Sequence, residues 1–116
     1  MSFSTRRSVA ITASTRHYPD SYSGNVVAVI EGTDPVLKHE AIVIGAHLDR
    51  VGNPGMVFPV ALDNASGVAD LPGAARALAT SKIKPASSVV FGFFDGEEYG
   101  LYGSKAFVEE QIWPKN

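Results

Sequence analysis

The stretch "SSVVFGFFDGEEYG", Ser87 to Gly100, decides how this chain folds. Its valines and phenylalanines have the composition of a buried strand. Asp95, Glu97 and Glu98 follow at once. A strand that ends in acids has left a dry core for a place that tolerates negative charge, which is water, a helix start or a cation.

Working outward, "GNVVAVIEG", Gly24 to Gly32, is a β-branched run between glycines and predicts a strand covered on both faces. "AIVIGAHLD" predicts a second buried strand, Ala41 to about Gly45, and "RSVAITAS" alternates like a strand at an edge. The loop "RVGNPGMVFPVALDN" is long for a compact domain and is a candidate functional loop. Ser66 to Thr80 has helical composition, with a kink or restart expected near Asp70 because Pro72 and Gly73 lie inside it. "EEYGLYGSKAFVEEQIW" predicts a closing helix whose apolar positions are Leu101, Phe107, Val108 and Ile112. Strands alternating with helices indicate an α/β fold with a sheet largely parallel at its centre. Ligands are then expected beyond the carboxyl ends of its strands.

Composition narrows the function. The chain has 116 residues, 45% of them apolar, and a formal charge of −2, which suits one ordinary globular domain. Lys and Arg are scattered, so there is no basic field for nucleic acid. No apolar run approaches the ~20 residues of a membrane span, and "MSFSTRRSVA" lacks the apolar core of a secretory signal. Neither nucleic acid nor membrane is an expected partner, and the compartment is left open. Without cysteine, thiolate catalysis and disulfide scaffolds are excluded, so any metal must bind through His and carboxylates.

Three motifs fall at strand ends or on the connecting loop. In "HLD", His47 and Asp49 stand two residues apart, so extended geometry would let the carboxylate orient the imidazole from behind. In "LDNASG", Asp63 sits beside Asn64 at the end of the long loop. The third is the acidic turn that holds Glu97 and Glu98. Taken singly, each has an ordinary explanation: a strand-end histidine with a turn aspartate, a helix cap, and acids in a first helical turn. Together they place one imidazole and several carboxylates at one sheet edge. Such carboxylates repel one another unless they are protonated or share cations. His with carboxylates suits zinc.

In order and spacing, "VIGAHLDRVG", "ALDNASGVA" and "SVVFGFFDGEEYGLYGSKAF" resemble the di-zinc aminopeptidases, a family of co-catalytic metallopeptidases, from about Asn25 to Trp113. The resemblance implies the zinc exopeptidase fold, a three-layer α/β sandwich with a mixed, centrally parallel sheet. Residues 1–116 would be a single, partial domain of it. It also implies two zinc ions and removal of N-terminal residues from peptide substrates. By matching motifs, His47 would ligate one zinc, Asp63 would bridge both and Glu98 would bind the other. Asp49 would orient His47, and Glu97 would be the general base. The Asp63–Asn64 peptide would be cis.

The family pattern adds two later ligands, an aspartate on the next strand and a histidine beyond it, and the chain as far as "IWPKN" offers no counterpart. Two protein ligands per zinc fall short of the usual three. His39 precedes the strand that His47 follows and belongs to the opposite end of the sheet, while His17 is a remaining substitute. Leu62 replaces an acid that the family often carries. A partial sheet would leave an open edge and apolar surface, so self-association is expected. Two alternatives accompany the aminopeptidase reading. One is a non-catalytic binding or interaction module, or a fragment, that keeps the fold; the other is the same fold with carboxypeptidase or glutaminyl cyclase chemistry.

Overall fold

The computed structural model describes residues 10–14, 16, 18–51 and 59–110. Its strands are β1 (Val26–Ile30), β2 (Ala41–His47) and β3 (Ser88–Phe94), and its helices are α1 (Ser66–Thr80) and α2 (Tyr102–Glu109). The sheet order is β1-β3-β2, with β1 antiparallel and β2 parallel to β3. The sheet is therefore mixed. A parallel pair needs a crossover, and the chain between β2 and β3 contains α1.

β3 is the strand around which the rest is built. Val90 and Phe91 are essentially inaccessible, and the whole run from Ser88 to Phe91 is buried. Because side chains alternate along a strand, Val89, Phe91 and Phe93 face one way and Val90 and Phe94 the other. The first set packs with Ala46 and Ile30 beneath Val68, Leu71, Ala75 and Leu78 of α1. That helical stripe has the three-and-four spacing of a face laid on a sheet. On the opposite face, the Phe94 ring meets Phe107 of α2 edge-on, at 5.6 Å between centroids. The Phe94 ring also fills the space above the Gly45–Gly92 pair, where an added Cβ would lie 2.5 or 2.6 Å from it. Helix, sheet and helix give the α/β layering.

Four local expectations change. Residues 7–9 of the expected first strand lie outside the described residues, and Ala10 to Ser14 form no strand, with Ile11 86% exposed; among the described residues nothing pairs with this segment. β1 and β2 flank β3 and are not covered on both faces. Val26, Val29, Ile42, Val43 and Ile44 are exposed. α1 runs without a break from Ser66 to Thr80 despite Pro72. The proline lies on its exposed side and removes one backbone bond, while the apolar stripe anchors both turns around it. Finally, α2 begins at Tyr102 rather than at Glu97, because Gly96, Gly100 and Leu101 adopt positive φ and cannot continue a right-handed helix.

One buried polar contact holds the opposite end of the sheet. Ser88 Oγ donates to the Lys38 carbonyl (2.6 Å) and accepts the Gly32 N–H (3.0 Å), and Ser88 is fully buried. Ser88→Ala leaves both partners unsatisfied and is expected to cost about 2 kcal/mol, read from the urea unfolding midpoint at unchanged slope. A midpoint equal to that of the parent would show that the two bonds contribute nothing net.

Candidate metal and acid–base site

The parallel pairing of β2 with β3 brings two carboxyl ends together. His47 lies in register with Phe94, and the Leu48 N–H donates to the Phe94 carbonyl (3.1 Å), extending the ladder by a residue. Whatever follows His47 therefore lies beside whatever follows Phe94. His47 follows directly from that register. It is only 8% exposed, a polar ring closed into the sheet end.

Asp49 is almost as buried, and its carboxylate accepts the N–H of Glu97 through Oδ1 and that of Glu98 through Oδ2, both at 3.0 Å. This bidentate clamp ties the two motifs together. It also fixes the acidic turn, which closes through the Gly100 and Leu101 N–H groups donating to the Glu97 carbonyl. Glu97 and Glu98 thus sit on a turn held from outside. Asp95 points elsewhere: its carboxylate accepts the Ser23 hydroxyl and its own turn's Gly96 N–H. With Ser23, Asn25 and Tyr102 it lines a cavity of about 320 Å³ that excludes His47.

The kinked segment Ala61–Ala65 carries Asp63, whose backbone and that of Asn64 are not helical, and the Asp63–Asn64 peptide is cis. Asn64 takes the capping role here, its Oδ1 accepting the Gly67 N–H (3.2 Å) at the start of α1. Asp63 is left to face the sheet end. Gly67 permits this approach, since an added Cβ would lie 2.4 Å from Asn64 Oδ1 and 3.0 Å from Ala46 Cβ.

These elements converge on the imidazole. His47 Nε2 is 3.1 Å from Asp63 Oδ1 and 3.8 Å from Glu97 Oε2. Nδ1 is 3.3 Å from the Asp49 carbonyl and 3.6 Å from Asp49 Oδ1. A carbonyl and a carboxylate only accept, so the doubly protonated ring donates from Nδ1 to the Asp49 carbonyl and from Nε2 to Asp63. Burial pulls the His47 pKa down, but the bond to Asp63, the charge of Glu97, the Asp49 carbonyl and the Asp49 charge outweigh it and hold the pKa above its ordinary value. With Nδ1–H on the Asp49 carbonyl, a cation in place of the Nε2 proton would meet the Nε2 lone pair between Asp63 and Glu97. A ring protonated at Nδ1 alone is the tautomer such a metal-ligating histidine uses.

Two donors bound to one tetrahedral zinc at ordinary bond lengths would be separated by about 3.3 Å. The 3.1 Å between His47 Nε2 and Asp63 Oδ1 matches that separation. The remainder does not complete a centre. Among the described residues no three His, Asp or Glu side chains are arranged to hold a metal ion. His39 ends a short turn before β2, at the other end of the sheet, and His17 lies outside the described residues. Residues 52–58 of the long loop also lie outside them.

The cation that does stand at the acids is Arg50, which sequence reasoning misses. Its Nη1 lies 3.3 Å from Asp63 Oδ2 and also pairs with Glu98 Oε1. The signal was available in "HLDR", one residue beyond Asp49, and is hidden when acids alone are counted.

The fold and this sheet-end cluster define a class, the α/β proteins that gather an imidazole and acids beyond parallel strand ends. Residues 25–116 match the model of peptidase family M28, and the chain belongs to that family. It is 40% identical over 88 residues to a vacuolar membrane protease of Candida tropicalis, covering 75% of this chain and 9% of that protein. A vacuolar membrane protease of Vanderwaltozyma polyspora is 33% identical over 94 residues, or 81% of this chain and 9% of that protein. Leucine aminopeptidase 1 of Sclerotinia sclerotiorum is 35% identical over 106 residues, covering 84% of this chain and 26% of that protein. The chain therefore spans from about a tenth to about a quarter of these relatives' lengths. No solved structure gives a significant match. Among the described residues no helix is long and apolar enough to cross a membrane.

Proposed function

We propose that this chain carries part of the active centre of a zinc-dependent exopeptidase that removes N-terminal residues from peptides. The observation that supports it best is the meeting of His47 Nε2 with Asp63 at 3.1 Å and Glu97 at 3.8 Å, beyond the ends of two parallel strands. Family membership supports hydrolysis of a peptide bond, and the likeness to a leucine aminopeptidase supports the exopeptidase choice.

In this reading His47 and Asp63 would contribute to holding one ion, and Asp63 and Glu98 to holding a second, with further ligands supplied from outside the described residues. Zinc, when bound, would polarise the scissile carbonyl and stabilise charge that develops on it. Glu97 is the catalytic base. Its backbone is pinned by Asp49 and its carboxylate is partly open to solvent, so it can take a proton from the attacking water and pass it to the leaving amine. Asp49 is a positioning residue. The substrate is a peptide, and a second copy of the chain pairing at the β2 edge, where Ile42 and Ile44 are exposed, belongs to the same proposal.

Zinc content tests the reading directly. After dialysis against metal-free buffer, elemental analysis is expected to find bound zinc in the parent chain and its loss in Asp63→Ala. Equal zinc in the two proteins, or none in either, would leave the fold without its metal chemistry and favour a binding module.

A further inference from the structure

The acidic turn between β3 and α2 is held at its middle by Asp49 and at both of its ends by one further side chain, that of Asn25. Asn25 precedes Val26, which pairs with Phe93, so the β1–β3 ladder sets it beside the point where the chain leaves the sheet. Its Oδ1 accepts the Asp95 N–H (3.2 Å), and its Nδ2 donates to the Gly103 carbonyl (2.7 Å). Asp95 opens the turn, and Gly103 lies where the turn has become α2. We propose that Asn25 is a positioning residue for Glu97 and Glu98, tying the entry of their turn to its exit so that the Glu97 carboxylate stays within reach of His47. The tie stands on the hydrogen bonds alone, while its effect on catalysis rests on the exopeptidase reading above.

Asparagine suits this place for a chemical reason. The entry presents a backbone donor and the exit a backbone acceptor, and a side-chain amide answers both at once. Aspartate would set a second acceptor against the Gly103 carbonyl, and alanine would answer neither group. The Gly103 and Tyr102 N–H groups close the same loop by donating to the Asp95 and Gly96 carbonyls, at 2.9 and 3.0 Å. The fit leaves no room for a side chain at position 103. An added Cβ there would lie 2.3 Å from the Asp95 carbonyl oxygen and 2.4 Å from Asn25 Oδ1.

The two mounts restrain different motions. Asp49 fixes the Glu97 and Glu98 N–H groups against the end of β2, and Asn25 fixes where the turn begins and where it ends. A turn pinned only at its middle can rock about Asp49. Rocking moves Glu97, whose carboxylate lies 3.8 Å from His47 Nε2. A misplacement of about 1 Å in a reacting group can lower a rate about 100-fold. Asn25 also borders the cavity of about 320 Å³ beside Asp95, so water can reach the groups that a substitution uncovers. The tie is then lost without stranding a buried donor or acceptor.

A lost bond that only weakens the fold lowers the unfolding midpoint and leaves the native turn as it was, so the test reads the native state. It compares ¹⁵N relaxation and amide ¹H shifts in the parent, Asn25→Ala and Asn25→Asp. In both variants the order parameters of the Glu97 and Glu98 amides are expected to fall from the rigid value of about 0.85 toward about 0.6, with those of β3 staying rigid. Order parameters and shifts at Glu97 and Glu98 that match the parent overturn the proposal, even where the unfolding midpoint drops. If Asn25→Ala does not fold, Asn25→Asp, equal in size but without the donor to Gly103, carries the comparison. With zinc present, kcat for an N-terminal aminoacyl substrate is expected to drop at least about tenfold in the variants, with KM within about threefold of the parent. A loosened turn with kcat unchanged overturns the positioning role. A parent that hydrolyses no such substrate refutes the exopeptidase reading and the catalytic consequence with it, and the relaxation data then decide the tie by themselves.

Discussion

In the proposed exopeptidase reading, Glu97→Gln is expected to lower the turnover of an N-terminal aminoacyl substrate by about 10²- to 10⁴-fold, the range that a positioned general base contributes. The amide keeps the size and hydrogen-bonding reach of the carboxylate but cannot take a proton at neutral pH. The substitution should leave the turn in place, because what anchors Glu97 is its backbone N–H on Asp49, not its side chain. Its carboxylate is about one-third exposed and lies 3.8 Å from His47 Nε2, so no buried partner is stranded. The loss should therefore appear in kcat, with KM and bound zinc little changed. Turnover within threefold of the parent would remove Glu97 from the role of base. A loss of zinc alongside activity would instead make Glu97 part of the metal's own surroundings.

The fold was legible where composition and position coincide. The apolar run Ser88–Phe94 becomes the central strand, and of the acids after it Glu97 stands at the sheet end beside His47. Strand richness in β-branched residues does not say where in the sheet a strand lies. "VVAVI" and "AIVIGAH" read as doubly covered and are the two outer strands. Pro72 misled because local cost was weighed without the four residues, Val68, Leu71, Ala75 and Leu78, that hold α1 to the sheet.

The site was legible as a set of acids and one imidazole, but its wiring was not. Spacing placed Asp49 behind His47. Its carboxylate lies 3.6 Å from His47 Nδ1 and also accepts from the backbone of a turn 48 and 49 residues away, a long-range partner that no local pattern announces. Asn64 rather than Asp63 accepts the Gly67 N–H at the start of α1, and this leaves Asp63 available. Arg50 could have been weighed from the letters alone. What could not be read from them is that its guanidinium reaches acids 13 and 48 positions along the chain.

Asp49→Ala should therefore act mainly on the fold of the acidic turn. Asp49 makes two charge-assisted bonds from a nearly buried carboxylate, and bonds to a charged group contribute about 1.5–3 kcal/mol each. Part of that is recovered because the Glu97 and Glu98 amides can meet water once the carboxylate is gone. A loss of about 3–5 kcal/mol in unfolding free energy follows. Asp49→Asn should recover little of it, since the amide offers one acceptor and turns its NH₂ toward the second N–H. The His47 ring, in contrast, should keep its Nδ1–H contact, because the nearest acceptor to that atom is the Asp49 backbone carbonyl at 3.3 Å, which alanine retains. Imidazole ¹⁵N shifts separate the two roles. A tautomer unchanged in a strongly destabilised variant identifies Asp49 as the clamp between the strand of His47 and the turn of Glu97 and Glu98. A shifted tautomer with stability intact would mean that its carboxylate acts on the imidazole and that the bonds to the turn contribute little.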